Sequence, residues 1–167
     1  QDVAKKIAYY TILSQSIAHN VDTATFAFCN FMRNDDESQI LYNSEQIDAI
    51  KQTAKWIEAR RSDEVMVMLQ NLKELVDYRK SVEEESELEH VYLHVFPFQM
   101  GRMFDMVGST GDRPSECSKL LEAILRDGPS LGVFTVLQVD NLSNLNKIGR
   151  GVLNLFNNQT ASKVFSD

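Results

Sequence analysis

The apolar and polar positions along the chain fall into segments of two different periods. Two runs of strand length, Val91 to Phe96 and Gly132 to Val139, carry apolar residues without clean alternation. Strands read that way when both faces of their sheet are covered, as in parallel sheets. Between them Ser115 can cap a helix through Ala123 to Arg126, and Asp127-Gly128-Pro129 supplies its stop. Strand, helix and strand with that punctuation predict a βαβ unit, with the two runs parallel.

Upstream, Val3 to His19 places Ile7, Tyr10, Leu13 and Ile17 three or four apart, the spacing of a helix with one core-facing stripe. Asn20-Val21-Asp22 ends it. Thr23 to Phe31, rich in Thr, Phe and Ala, reads as a buried strand, and Asn34 to Glu37 as a polar turn. A second helical pattern starts at Ser44 and runs through Ile47, Ile50, Ala54 and Ile57. Ser62-Asp63-Glu64 opens a third, with Val65, Met68, Leu69, Leu72, Leu75 and Val76 on one face. It continues to Arg79 and is closed by the acidic run Ser81 to Glu89. After the βαβ unit, Leu142 to Phe156 reads as partly helical, broken at Gly149 and Gly151, and Gln159 to Phe165 as a last strand. The order α-β-α-α-β-α-β-α-β predicts an α/β fold: a mostly parallel sheet with helices on both faces.

Composition narrows the function. The chain has 167 residues, which suits a single domain able to bury a sizeable core. A net charge of −7 opposes a phosphate backbone, so a stand-alone nucleic-acid binder is not expected. A local basic patch, or a basic pore in a ring of subunits, stays compatible with it. Only Cys29 and Cys117 are present, and Cys29 lies in an apolar run, so a reducing compartment is expected and a disulfide framework is not. With no signal peptide and no apolar run near the ~20 residues that span a bilayer, a cytoplasmic location is expected. The chain opens at Gln1 already inside a helical pattern, which suggests a fragment of a larger domain.

Each motif has an ordinary reading beside its functional one. Gly108-Ser109-Thr110-Gly111 looks like the start of a phosphate-cradling loop, but no Lys follows, so it reads as a flexible turn. His90 and His94 point to one face of a strand, yet no His or Cys cluster supplies the remaining ligands of a zinc ion. No G-x-S-x-G elbow supports a catalytic triad. Met100, Met103 and Met106 suit core packing. Asn141-Leu142-Ser143 and Asn158-Gln159-Thr160 match the glycosylation triplet, a pattern common by chance. Asp140-Asn141 ends a buried strand, either as an Asx turn leaving the sheet or as a polar pair presented to a nucleotide or partner. Arg102, Arg113, Arg126 and Arg150 offer guanidinium groups to a phosphate or a neighbouring subunit, or simply to solvent.

Three stretches carry a resemblance. Val91-Tyr92-Leu93-His94-Val95-Phe96-Pro97-Phe98-Gln99 looks like a Walker B strand, and Leu120 to Val139 (LLEAILRDGPSLGVFTVLQV) like the helix, Arg-x-x-Gly connection and sensor strand that follow it. Asn154 to Asp167 looks like a last strand. Together they resemble the motor core of the FtsK/HerA-type (FtsK/SpoIIIE-like) DNA translocase ATPases, within the P-loop NTPases. Val3 to His19 would then be the helix that follows the phosphate loop, and Thr23 to Phe31 the next strand.

The resemblance implies a partial P-loop NTPase (RecA-like) core. It also implies ATP and Mg²⁺ in an intact parent protein, other subunits of a ring or complex as partners, and DNA as a partner open to the parent. The departures are specific. There is no Walker A motif, and the acidic pair of Walker B falls on Pro97 and Phe98, which can neither hold Mg²⁺ nor polarise a water. Asp140 stands where the family has its polar sensor residue. The chain alone is therefore expected to hydrolyse no ATP and to hold no cofactor or metal. Gln99, Asp140 and Asn141 are the candidates to face a nucleotide, and Arg102, Arg126 and Arg150 those to face a subunit or phosphate. Phe98 is expected to give the strand-end crevice an apolar face that suits a partner's side chain. The rival readings are a Rossmann-like protein-interaction module without nucleotide chemistry, and a small enzyme using His90 or His94.

Overall fold

A computed structural model describes residues 6, 9–15, 24–32, 44–52, 54–82, 88–149 and 151–156. The polar turn at Asn34 to Glu37, the strand expected at Gln159 to Phe165, the triplet at Asn158 and the side chain of Arg150 lie outside the described residues.

Four strands, β1 (Ala24–Asn30), β2 (Lys55–Ala59), β3 (His90–Phe96) and β4 (Val133–Leu137), form one sheet in the order β2-β1-β3-β4. Every neighbouring pair is parallel. Residues 9–15 are helical (α1), followed by α2 (Ser44–Lys51), α3 (Ser62–Ser81) and α4 (Glu116–Asp127). The expected βαβ unit is present as β3-α4-β4, with α4 capped by Ser115, whose Oγ accepts from the Ser118 amide at 3.1 Å. Gly128 turns the chain from α4 toward β4. A Cβ there would lie 2.5 Å from the Ile124 carbonyl oxygen and 2.6 Å from that of Val133, so only glycine fits.

One expected element is corrected. The second helix stops at Lys51, and Lys55–Ala59, which includes Ile57, is an edge strand paired with β1. Ala54 and Ile57 continue the spacing of Ile47 and Ile50 by coincidence. The five-residue strand carries Lys55 and Glu58, the charges by which edge strands discourage further pairing, and they hide its strand character. Leu142 to Phe156 holds two 3-10 segments, Leu142–Lys147 and Val152–Leu155, instead of an α-helix.

Strand alternation sorts the core into two layers. Ala27 and Cys29 of β1 and Val91, Leu93 and Val95 of β3 pack with Val65, Leu69 and Val76 of α3 and Leu121 and Ile124 of α4. On the other face Phe26 and Phe28 pack with Ile12 of α1, beside Tyr92 and Trp56. Helices therefore cover both faces. Because β1 connects outward to β2 on one side and β3 lies on its other side, the chain reverses direction between β1 and β3. That reversal is the topological switch point where open α/β sheets form a crevice beyond their carboxyl ends.

Candidate interface at the carboxyl edge of the sheet

All four strands end on the same side, and two loops continue the pairing one step further. The Phe31 amide donates to the Phe96 carbonyl at 2.9 Å, and the Phe98 amide to the Gln138 carbonyl at 3.0 Å. After the cis Phe96-Pro97 bond, Phe98–Met100 and Arg102–Phe104 form two short 3-10 turns. These turns lay aromatic rings across the switch point. Phe98 and Phe104 are wholly buried with ring centroids 5.0 Å apart, and Phe31 meets Phe104 edge-on at 6.0 Å. Gly101 lies between them, where a Cβ would be 2.7 Å from Phe31 and 2.8 Å from Phe104. The crevice is thus filled by the protein's own side chains. The expectation that Phe98 offers an apolar face to a partner is corrected: its ring belongs to the core, because the turn after Pro97 folds it inward.

The residues present do not fit Mg²⁺ and a triphosphate. At the end of β3 stand Pro97 and a buried Phe98, with no carboxylate to ligate a cation. The Gly108 to Gly111 turn is stitched shut by reciprocal backbone bonds between Val107 and Arg113, at 2.7 and 3.1 Å, and by Gly111 N to Gly108 O at 3.1 Å. The helix it leads to has its amino end occupied by Ser115 and carries Glu116 in its first turn, which repels an anion.

Around the filled crevice runs a polar rim. Gln99 is partly buried, and its side-chain oxygen is enclosed with no hydrogen-bond partner among the described residues. Its backbone carbonyl accepts from Lys147 Nζ at 3.2 Å, and the same ammonium pairs with Asp105 at 2.6 Å. That clamp joins the loop after β3 to the loop after β4. Asp140 is exposed and accepts from Asn144 Nδ2 at 2.7 Å; Asn141 caps the first 3-10 segment, its Oδ1 accepting from the Ser143 amide at 2.9 Å. The Asx-turn reading of Asn141 therefore holds geometrically. Arg102 is exposed on the same rim.

Arg126 is elsewhere. It lies in the last turn of α4, at the amino end of the sheet, with its Nε 3.2 Å from Asp127. The structure brings Gln99, Asp140, Asn141 and Arg102 together and leaves Arg126 apart. Sequence reasoning missed Phe31, Gly101, Phe104, Asp105 and Lys147. Nothing in their spacing announces them, since each acts only once the two loops meet. Met106, Asp112, Pro114, Ser143, Asn146 and Lys147 line an open recess of about 760 Å³ between the loops.

His90 and His94 both sit among aromatic rings of the sheet. His94 is buried between Phe26 and Phe28, its Nε2 3.1 Å from Gln15 Oε1, and burial lowers its pKa to about 3. His90 stands edge-on to Phe134 at 5.5 Å. Among the described residues no three His, Cys, Asp or Glu side chains gather as a metal site, and no helix is long and apolar enough to cross a membrane.

No sequence family and no curated protein matches the chain. A solved structure of EssC (ATPases 2 and 3) from Geobacillus thermodenitrificans is similar to it, with a TM-score of 0.53 over 86% of this chain at 14% identity. The chain spans 28% of the length of that structure. Likeness at this identity is a likeness of fold, shared in the arrangement of a parallel sheet with helices on its faces.

Proposed function

We propose that the chain is a non-catalytic, ATPase-like module of the FtsK/HerA type, one α/β domain within a larger cytoplasmic ATPase. It works by presenting a surface to other subunits of a ring or complex. ATP and Mg²⁺ belong to the intact parent or to neighbouring subunits, and DNA is the parent's partner in this reading. The carrying observation is the aromatic filling of the switch point. Phe98, in the place where the resemblance puts a metal carboxylate, is wholly buried against Phe104. A crevice packed that way has no room for phosphates, while the rim of Gln99, Asp140, Asn141 and Arg102 stays available beside it; Arg150 is carried over from the sequence as a further candidate. Arg126 would serve a separate contact at the amino end.

The test is phosphate release and MgATP binding by the purified chain, alone and carrying the upstream residues of its natural polypeptide. The chain alone is expected to release no phosphate and to bind nucleotide weakly at most. Turnover by the chain alone would overturn the proposal.

A further inference from the structure

The open recess between the loop after β3 and the loop after β4, about 760 Å³, has room for a short stretch of peptide. Its charges do not balance. Lys147 stands in its wall, but that ammonium is already engaged by Asp105 and by the Gln99 carbonyl. Asp112, exposed in the same lining, has no cation within ion-pair distance among the described residues. Arg113 crosses the same turn, with its Nη2 3.2 Å from where a Cβ on Gly108 would stand. Behind Gly149, which also lines the recess, Glu122 of α4 brings its Oε2 to 3.4 Å from the corresponding Cβ position. Glu122 is half-buried and likewise has no partner among the described residues.

Hydrogen bonding is unbalanced in the same sense. Asn144 donates its Nδ2 to Asp140 at 2.7 Å, which leaves its Oδ1 as an acceptor beside the recess. The recess thus offers carboxylate and amide oxygens, while its ammonium is satisfied. Met106 and Pro114 add an apolar strip to the wall. A cation on an aliphatic stem suits both parts, the stem lying on the strip and the head among the oxygens. Guanidinium fits better than ammonium, because its planar fork donates to several oxygens at once and is more weakly hydrated.

We propose that this recess docks an arginine-bearing segment of a partner polypeptide, its guanidinium held by Asp112, Glu122 and the Asn144 side-chain oxygen. The inference rests on the reading of the chain as a surface for other subunits and names the chemistry of one contact there. A nucleic acid is excluded as the occupant, since its phosphates would meet the two unpaired carboxylates.

The probe is the acetylated and amidated peptide Ala-Arg-Ala-Arg-Ala, titrated into the isotope-labelled chain, with Ala-Gln-Ala-Gln-Ala as the uncharged control. Amide shifts should gather in residues 106–114 and 143–149 and fade as salt is raised. Asp112→Asn and Glu122→Gln together should leave melting unchanged and weaken binding about fivefold. Glu74→Gln, which removes an exposed carboxylate of α3, should not weaken it. Equal weakening by Glu74→Gln, shifts scattered over the surface, or an equal response to the glutamine peptide would overturn the site and leave only attraction to the net charge of −7. Shifts in the same residues that grow with protein concentration before peptide is added would overturn it in favour of a second copy of the chain. The titration is separate from phosphate release. A chain that binds no peptide and releases no phosphate loses this docking site alone, and one that releases phosphate loses the non-catalytic reading whatever it binds.

Discussion

His94 ties stability to pH through a single residue. Its ring is enclosed by Phe26 and Phe28 with a hydrogen bond to Gln15, and burial lowers its pKa to about 3 against an ordinary value of 6.5. The unfolded chain therefore binds a proton that the folded chain refuses, and stability falls as pH drops below about 6.5. The loss is at most ~1.4 kcal/mol per pH unit. Urea midpoints at pH 7.5 and pH 5 should differ in that direction, and His94→Leu should flatten the difference. At the filled crevice the governing quantity is space. Gly101→Ala would put a methyl 2.7 Å from Phe31 and 2.8 Å from Phe104, an overpacking that costs ~1–3 kcal/mol in chemical denaturation. Phe98→Ala should cost ~3–5 kcal/mol, because the ring is wholly buried. Phe98→Asp should be worse still, since it buries a carboxylate without a partner.

At the scale of elements, α4 and β4 show how local signals and packing divide the work. Ser115 caps α4 and also donates to the Met103 carbonyl at 2.6 Å, so one hydroxyl fixes both the helix start and the loop that carries the aromatic filling. Ser115→Ala should cost ~1–2 kcal/mol and raise hydrogen exchange in residues 98–104 as well as in the first turn of α4. A change confined to the helix would contradict that coupling. In β4, Phe134 is only half-buried although it stacks on Tyr92 at 5.4 Å. Phe134→Ala should therefore cost less than Leu93→Ala, whose side chain is wholly enclosed and should lose ~2–5 kcal/mol. Comparing the two denaturation midpoints checks that ordering.

At the scale of the molecule, the rim beside the crevice should govern association without governing folding. Asp140 is exposed and accepts a hydrogen bond from Asn144 in the next turn, so Asp140→Ala should change the melting temperature little. In the proposed complex it should weaken sedimentation with partner subunits. Normal assembly of Asp140→Ala and Arg102→Ala variants would remove the rim from the interface. The βαβ unit, the buried strands β1 and β3 and the long third helix were all readable from sequence, because apolar period, a Ser cap and a Gly/Pro stop are local properties of consecutive residues; β4, read as covered on both faces, is instead a half-buried edge strand, since no fifth strand pairs with it among the described residues. The absence of an acidic pair at Pro97-Phe98 was equally legible. Edge strand β2 was not, because five residues with two charges keep no period of their own and become a strand only by pairing with β1. Nor could sequence place Phe31, Phe98, Gly101 and Phe104 in one crevice, join Asp105 to Lys147, or send Arg126 to the opposite end of the sheet. Those arrangements depend on which loops meet after the sheet reverses direction between β1 and β3, and contacts between residues distant in the chain leave no periodic trace in it.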